Sequence, residues 1–214
     1  AQVLDDDSTL VVGAISSNPK KAAAKTQQFA DYLVSKTGHL GYQKAIVKVA
    51  RDVRHMRRWL KQGKVDVLSE SMYPASELYN EGLVSLAGLR LKEGHVDYHS
   101  IFYTRIDSGI NALDGLVGPP IVFEDRGSTS AFYEPAATLL KKGYVLEELD
   151  SPRDTVTQGS IGYLFADELT AQGGEMNMWM WVYNGIVAAS AFSNLDWENK
   201  IPWHLKEKIQ IIKN

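Results

Sequence analysis

Short β-rich apolar runs alternate with segments of helical periodicity along nearly the whole chain. This alternation is typical of α/β folds, in which helices cover a largely parallel sheet. The first series predicts strands at 9–15, 45–49, 65–69 and 83–89, with helices at 19–36, 53–62 and 73–79 between them. The sequence therefore predicts a βαβαβα lobe over residues 1–97.

The alternation starts over near Tyr98. Strands are expected at 98–105, 120–123, 146–149, 186–192 and 209–212, and helices at 112–116, 129–142, 176–183 and 202–208. Because no flexible linker or internal repeat separates the two series, the junction is expected to be a strand-like hinge. The sequence predicts a clamshell of two lobes, 1–97 and 98–214, each a mostly parallel sheet flanked by helices, with a small-ligand cleft between them.

Composition limits the classes of partner. The 214 residues carry a net charge of −3, with a pI near 6.0, which gives no global positive field for nucleic acid or an anionic membrane. The longest apolar run, 186–192, is far short of the roughly 20 residues that a membrane span requires, so direct membrane insertion is not expected. Cysteine is absent, and the five histidines lack the paired spacing of a zinc site. Neither a metal nor a cofactor is predicted.

The segment 123–132, FEDRGSTSAF, is typical of a strand that passes through a glycine turn into a helix. The first turn of a helix presents N–H groups without intrahelical partners, and the helix dipole adds about half a positive charge there. The hydroxyls of Ser128, Thr129 and Ser130 lie beside these groups, so the segment is suited to a small tetrahedral oxyanion. The alternative is that one of these residues only caps the helix, as Ser and Thr commonly do.

Six segments, in consistent order along the chain, resemble the phosphate-, phosphite- and phosphonate-binding proteins of ABC transporters. They are 68–75 (LSESMYPA), 98–100 (YHS), 105–109 (RIDSG), 123–130 (FEDRGSTS), 149–154 (LDSPRD) and 193–198 (SNLDWE). The resemblance implies a type II periplasmic-binding-protein fold. It also implies a periplasmic or extracytoplasmic solute-binding protein, its signal peptide removed, that delivers a small oxyanion to an ABC permease.

The same resemblance assigns roles to particular residues. It implies that Ser128, Thr129 and Ser130 hold a phosphorus oxyanion, which is a phosphonate, phosphite or phosphate. It further implies that Tyr73 and Tyr98 are the aromatic partners that close over the ligand. Packed aromatic residues with exposed hydroxyls are the alternative for both tyrosines.

Three more residues are candidates for the cleft. Glu70 and Asp196 follow predicted strands, and in aminoalkylphosphonate binders carboxylates in the cleft receive the ligand's ammonium group. Each has an alternative as a helix cap or a surface ion pair, which is favoured for Asp196 because the next residues, WE, resemble a helix start. His99 is the one histidine expected to approach the cleft.

The chain departs from the family pattern at two places. Many phosphonate binders open the helix after the long insertion with Ser-His, where this sequence has Gly174 and Glu175. Because a carboxylate there would repel a dianion, Glu175 is left out of the predicted site. The family normally returns to the first lobe through a second hinge strand, so part of the natural protein is expected to lie beyond Asn214. The chain's start, AQV, suits either a trimmed signal peptide or a truncated chain.

Two other classes of function stay open at this point. The same fold serves equally well as the extracytoplasmic sensor of a membrane kinase or chemoreceptor, fused to a signalling module. A phosphoester hydrolase is the weaker alternative, because the serine segment does not fit the G-x-S-x-G elbow and no His/Asp pair is identifiable to activate a serine. No catalytic residue is predicted, and the chain is not expected to be an enzyme.

Overall fold

The chain divides into two units, Ala1–Arg90 and Leu91–Asn214, in a computed structural model that describes residues 8–170 and 174–213. Each unit has its own sheet, and the α/β class is confirmed. The chain's start, on which the signal-cleavage expectation rests, lies outside the described residues. The division falls before the predicted boundary at 97/98, because Lys92 donates to Asp196 and Glu93 accepts from Asn199, both in the second unit. Closure of two lobes about a hinge stays a prediction.

The first unit is built on three parallel strands. Its elements are β1 (Thr9–Ile15), α1 (Pro19–Thr37), β2 (Lys44–Ala50), α2 (Val53–Lys61), β3 (Val67–Leu68) and α3 (Met72–Asn80), and the strand order is β2-β1-β3. Asn18 and Asp52 cap α1 and α2 through side-chain oxygens that accept from backbone N–H groups. Val11 and Val12 alternate along β1 and therefore pack in separate cores on opposite sides of the sheet.

The second unit contains a six-stranded sheet. Its elements are β4 (Ser100–Arg105), β5 (Ile121–Phe123), a π-helical turn (Thr129–Tyr133), α4 (Glu134–Lys141), β6 (Val145–Glu148), β7 (Ser160–Phe165), α5 (Ala166–Leu169), α6 (Glu175–Tyr183), β8 (Ala189–Ser193), α7 (Asn194–Lys200) and β9 (Ile209–Ile211). The strand order is β6-β7-β5-β8-β4-β9, in which the first four strands are parallel and β4 is antiparallel to both of its neighbours. The ends of β5 and β8 and the start of β4 therefore meet at one edge.

Both faces of this sheet are covered. Ile121 and Phe123 pack in one core cluster, whereas Val122, between them in β5, packs in the other. Phe102 and Tyr103 of β4 divide in the same way. A sheet buried on both faces needs apolar residues at successive strand positions, which explains the continuous apolar runs in the sequence.

The structure corrects the predicted elements at four places. The predicted strand 83–89 is wrong, since these residues form no strand and Leu86 and Leu89 are 75% and 67% exposed. The prediction lacked β7, whose apolar run is interrupted by Gly162, and it lacked α7. Gly162 is required because a Cβ there would lie 2.5 Å from Val156 Cγ2. The single helix predicted at 129–142 is a π-helical turn followed by α4.

Among the described residues, no helix combines the length and apolar character that a membrane crossing needs.

Candidate functional site

Two helical segments begin at the same edge of the second unit's sheet. β5 leads through a short loop to a helical start capped by Ser128, and β8 passes directly into α7 at Ser193. Because β5 and β8 are parallel neighbours, both starts lie at the edge where β4 begins. This carboxyl edge is where α/β sheets usually bind ligands. Most of the predicted site residues are brought together there, namely Ser128, Thr129, Ser130, Tyr98, His99 and Asp196.

The loop that follows β5 is fixed by polar contacts. Asp125 Oδ1 accepts from the Gly127 N–H at 2.8 Å, which closes a tight turn. Arg126 forms ion pairs with Glu148, at the end of β6, and with Glu168 in α5. The hydrogen bond from Arg126 lowers the pKa of Glu148, so this pair stays charged in the neutral range. The neighbouring elements of the sheet thereby hold the loop in place.

Ser128 is the N-cap of the helical segment that begins at Thr129. Its Oγ accepts from the Ala131 N–H at 3.2 Å and lies 3.0 Å from Glu124 Oε2, to which it donates. Its carbonyl oxygen accepts from the Tyr133 N–H at 3.0 Å. Ser128 therefore acts as the helix cap in this structure, as the alternative interpretation predicts. Its hydroxyl proton is donated to the Glu124 carboxylate and is not available to an anion.

Ser130 carries donors that no described residue uses. Neither its N–H nor its Oγ has a hydrogen-bond partner among the described residues, although Ser130 is only 9% exposed. Its carbonyl oxygen accepts from Ser100 Oγ at 2.8 Å. That carbonyl is available because Pro135, five residues on, has no N–H to continue the π-helical bonding. Ser130, with the half-buried Thr129 beside it, is thus the open part of this helix start.

Carboxylates lie close to the same turn. The Asp167 N–H donates to the carbonyl of Glu124 at 3.2 Å, which places the first turn of α5 beside the loop. Burial raises the pKa of Asp167 to about 6, and the negative charges of Asp125 and Glu168 add to the shift. Asp167 Oδ1 is buried and has no hydrogen-bond partner in the described part of the chain. Below a pH of about 6 this carboxyl is mostly neutral and adds little negative charge beside the helix start.

Tyr98 and His99 directly precede β4. The ring centroid of Tyr98 lies 5.1 Å from Lys92 Nζ, a cation–π distance. The His99 N–H donates to Asn194 Oδ1 at 3.0 Å, and its carbonyl accepts from the Asn194 N–H at 2.9 Å. The backbone of this segment is therefore attached to the start of α7, while the His99 side chain is exposed.

Asp196 lies in the first turn of α7 and is 1% exposed. It forms a capping box with Ser193, in which Ser193 Oγ accepts from the Asp196 N–H at 3.1 Å and Asp196 Oδ2 accepts from the Ser193 N–H at 3.3 Å. Lys92 Nζ donates to the same Oδ2 at 2.7 Å. The helix cap and the ion pair of the alternative interpretation are both present, but the carboxylate is buried instead of lying at the surface.

Glu70 and Tyr73, the other predicted site residues, belong to the first unit. Glu70 Oε1 accepts from the Ile15 N–H at 2.7 Å, and Oε2 accepts from the Ser71 N–H at 3.2 Å. These bonds join the end of β1 to the start of α3. Tyr73 lies half-buried in the first turn of α3. A role of either residue in ligand binding stays a prediction.

The described residues contain no group of three His, Asp or Glu side chains that could hold a metal ion. The side chain of Glu175, which is not among the predicted site residues, lies outside the described part of the structure.

Sequence reasoning missed several residues of this edge. Lys92 and Ser100 bond to residues far along the chain. Asp196 lies 104 residues after Lys92, and Ser130 lies 30 residues after Ser100. No local sequence pattern indicates such contacts. Asp167 was missed together with β7 and α5. For Glu124 a signal exists, because it stands four residues before the serine that it accepts from.

The chain matches a family described as ABC transporter, phosphonate, periplasmic substrate-binding protein, over residues 12–214. No curated protein matches it.

Among solved structures, the chain is similar to XAC2383 from Xanthomonas citri with a TM-score of 0.85. The structure bound to chloride ion is 30% identical, and the match covers 96% of this chain and 73% of that one. The structure bound to ATP is 29% identical, and the match covers 96% of this chain and 72% of that one. PhnD1 from Prochlorococcus marinus, in complex with methylphosphonate, has a TM-score of 0.64 at 14% identity over 97% of this chain and 72% of its own. A binding protein component of an ABC phosphonate transporter from Pseudomonas aeruginosa has a TM-score of 0.61 at 18% identity, over 96% and 64%. At these two identities the likeness concerns the fold alone.

Proposed function

The chain belongs to the phosphonate family of ABC-transporter periplasmic substrate-binding proteins, and from that premise we propose that it captures a phosphorus oxyanion at the helix start Ser128–Ser130. Membership of the family implies an extracytoplasmic location, a small-molecule ligand and a transporter permease as partner. Proteins of this family bind substrates for transport and are not described as enzymes. The ligand and the residues that hold it are the content of the proposal.

The observation that carries the proposal is the pair of unused donors on Ser130. Its N–H and Oγ lack partners among the described residues at a helical N-terminus, where the dipole favours negative charge. A hydrogen bond to a charged group contributes about 1.5–3 kcal/mol, so a charged ligand that accepts from these two groups gains affinity from each. A tetrahedral oxyanion offers the several acceptor oxygens that this arrangement and the neighbouring Thr129 require.

The nearby carboxylate of Glu124 limits which oxyanion fits. Because Ser128 Oγ donates to Glu124, the negative charge of Glu124 is partly satisfied within the protein. A ligand oxygen that carries a proton finds acceptors on this side of the turn, whereas a fully ionised oxygen is repelled there. Each donor or acceptor left without a partner in the bound state lowers the affinity by about 1–3 kcal/mol, and selectivity among phosphonate, phosphite and phosphate follows from that count.

The proposal is tested by isothermal titration calorimetry against phosphate, phosphite, methylphosphonate, 2-aminoethylphosphonate and sulfate. Ser130→Ala is expected to weaken binding of the preferred phosphorus ligand by about 10- to 100-fold, the loss expected for one hydrogen bond to a charged group. Ser35→Ala is the matched control, because Ser35 is exposed in α1 and its Oγ bonds only to its own helix, at Tyr32. Binding of a phosphorus oxyanion that is equally strong in the Ser130→Ala variant would place the site elsewhere.

ATP belongs in the same titration series. The XAC2383 relative was solved with ATP, and ATP presents phosphate oxygens to a binding site just as a free phosphate does. If the helix start takes the terminal phosphate of a nucleotide, Ser130→Ala weakens ATP and phosphate binding by similar factors. Binding of ATP that is unaffected by Ser130→Ala would show that the nucleotide is held by other residues.

A further inference from the structure

Lys92 is the cation that pairs with the buried carboxylate of Asp196. Its Nζ donates to Asp196 Oδ2 at 2.7 Å and to Ser193 Oγ at 2.9 Å, and it lies 5.1 Å from the ring centroid of Tyr98. Asp196 is 1% exposed, so its negative charge requires a cation beside it. In this structure that cation is part of the chain itself.

This charged pair is connected to the helix start at Ser130 through one hydrogen bond and one pairing of strands. Ser100 Oγ donates to the Ser130 carbonyl at 2.8 Å. Ser100 lies directly opposite Ser193 in the antiparallel pair of β4 and β8, and Ser193 holds both Asp196 and Lys92. Opposed residues of an antiparallel pair have Cβ atoms about 5 Å apart. The Lys92–Asp196 pair therefore lies at the same edge as the proposed oxyanion site.

We propose that Lys92 determines the charge class of the ligand by acting as the built-in counter-ion of Asp196, so that the protein prefers phosphorus oxyanions without an ammonium group. The inference rests on the proposed function. A ligand ammonium and the Lys92 ammonium compete for one buried carboxylate, because Lys92 bonds to Oδ2 and Oδ1 has no hydrogen-bond partner among the described residues. Two cations beside that carboxylate repel each other. Removal of the Lys92 charge leaves Asp196 without a cation and creates a subsite for an ammonium group.

The test compares two ligands of similar size, ethylphosphonate and 2-aminoethylphosphonate, in the wild-type protein and in Lys92→Met. Wild type is expected to bind ethylphosphonate more tightly by about tenfold or more. In Lys92→Met the ratio of the two Kd values is expected to shift toward 2-aminoethylphosphonate by about tenfold or more, as for one gained charge-assisted hydrogen bond. Lys206→Met is the control, because Lys206 pairs with the exposed Glu198 and not with Asp196.

Two further variants separate this role from a loss of folding. Lys92→Arg keeps the positive charge and is expected to keep the wild-type ratio of Kd values. Lys92→Met/Asp196→Asn removes both charges, so no unpaired carboxylate is left, and it is expected not to gain affinity for 2-aminoethylphosphonate. Circular dichroism spectra confirm that each variant is folded before titration.

The outcomes distinguish this inference from the function on which it rests. If wild type binds ethylphosphonate and Lys92→Met leaves the Kd ratio unchanged, the role of Lys92 is refuted and the oxyanion site stands. A wild-type preference for 2-aminoethylphosphonate refutes the role of Lys92 as well. If wild type binds neither phosphonate nor any other phosphorus oxyanion, the proposed function fails and this inference fails with it.

Discussion

The two helix starts at the edge of the larger sheet are built from the same parts. Each follows one of two neighbouring parallel strands, β5 or β8, and each has a serine as N-cap with an extended backbone. In each the serine Oγ accepts from the N–H three residues on, at 3.2 Å for Ser128 and 3.1 Å for Ser193. Both starts therefore follow the preference of helices for serine at the N-cap position.

The two starts differ in what satisfies the rest of the first turn. At α7 the chain supplies its own anion, because the Asp196 carboxylate returns to the Ser193 N–H and is neutralised by Lys92. At the other start the equivalent third position is Ala131, which has no polar side chain, and two donors of Ser130 have no partner in the part of the chain that the structure describes. A helix start closed by an internal carboxylate serves stability. At the other start the nearby Glu124 carboxylate accepts from the Ser128 hydroxyl, and the Ser130 donors stay open to an external anion.

The largest effect is expected at the closed start. Asp196→Ala leaves the Lys92 ammonium without its anion and the Ser193 N–H without its acceptor, so it should lower the free energy of unfolding by about 3 kcal/mol. Urea denaturation followed by circular dichroism measures this change. Asp31→Ala is the control, because Asp31 is exposed on α1 and accepts only from Gln27. A loss no larger than that of the control would contradict the comparison.

Replacement of the capping serine should lower the free energy of unfolding more at Ser193 than at Ser128. Ser193→Ala is expected to cost about 2 kcal/mol, since it removes the cap and a hydrogen-bond partner of Lys92 beside a buried ion pair. Ser128→Ala should cost about 1 kcal/mol, because it removes the cap and a hydrogen bond to Glu124, which is only half-buried. The same denaturation experiment on both variants gives the difference. Equal costs would mean that the internal ion pair adds nothing to the closed start.

Sequence reasoning predicted what local patterns determine. The family, the type II periplasmic-binding-protein fold and the α/β alternation are confirmed. They could be predicted because apolar periodicity and the FEDRGSTS segment are local features of the sequence. The ambiguity at Ser128 between cap and anion ligand could not be resolved from sequence. The role of Ser128 depends on the position of Glu124, whose carboxylate orients the hydroxyl.

The errors lie where tertiary contacts override local preference. β7 contains Gly162, a poor strand former, yet the glycine is needed because Val156 and Leu149 pack against its backbone. The apolar residues at 83–89 have the composition of a strand, but they pair with no strand of the described structure, and Leu86 and Leu89 are exposed. Lys92 pairs with Asp196 over 104 residues of sequence, a distance at which no spacing rule operates.

Asp167, beside the open start, should make stability depend on pH. Its pKa is raised to about 6, so the folded state binds this proton more tightly than the unfolded state, whose Asp pKa is about 3.9. The stabilisation from its protonated form is therefore present below about pH 4 and is lost as the pH rises through about 6. Asp167→Asn should be more stable than wild type by about 1 kcal/mol at neutral pH, less than the full shift implies because the group is only half-buried.

The measurement is the free energy of unfolding of wild type and Asp167→Asn across this pH range. Asp154→Asn is a control of the same chemical change in an exposed loop, where Asp154 accepts from the Asp150 and Ser151 N–H groups. A gain for Asp167→Asn that is the same at low and neutral pH would show that it does not arise from ionisation of this carboxyl.

The smallest effect on stability is expected at the open start itself. Ser130→Ala removes a hydroxyl that has no partner among the described residues, and alanine has the better helix propensity, so the free energy of unfolding should change by about 0.5 kcal/mol or less. The same variant is expected to weaken oxyanion binding, so urea denaturation without ligand and calorimetry with ligand must be read together. Ser130 is expected to contribute to ligand binding but little to stability, whereas Ser193 contributes to stability. A loss of stability as large as that of Ser193→Ala would remove the distinction, because Ser130 would then serve the fold as Ser193 does.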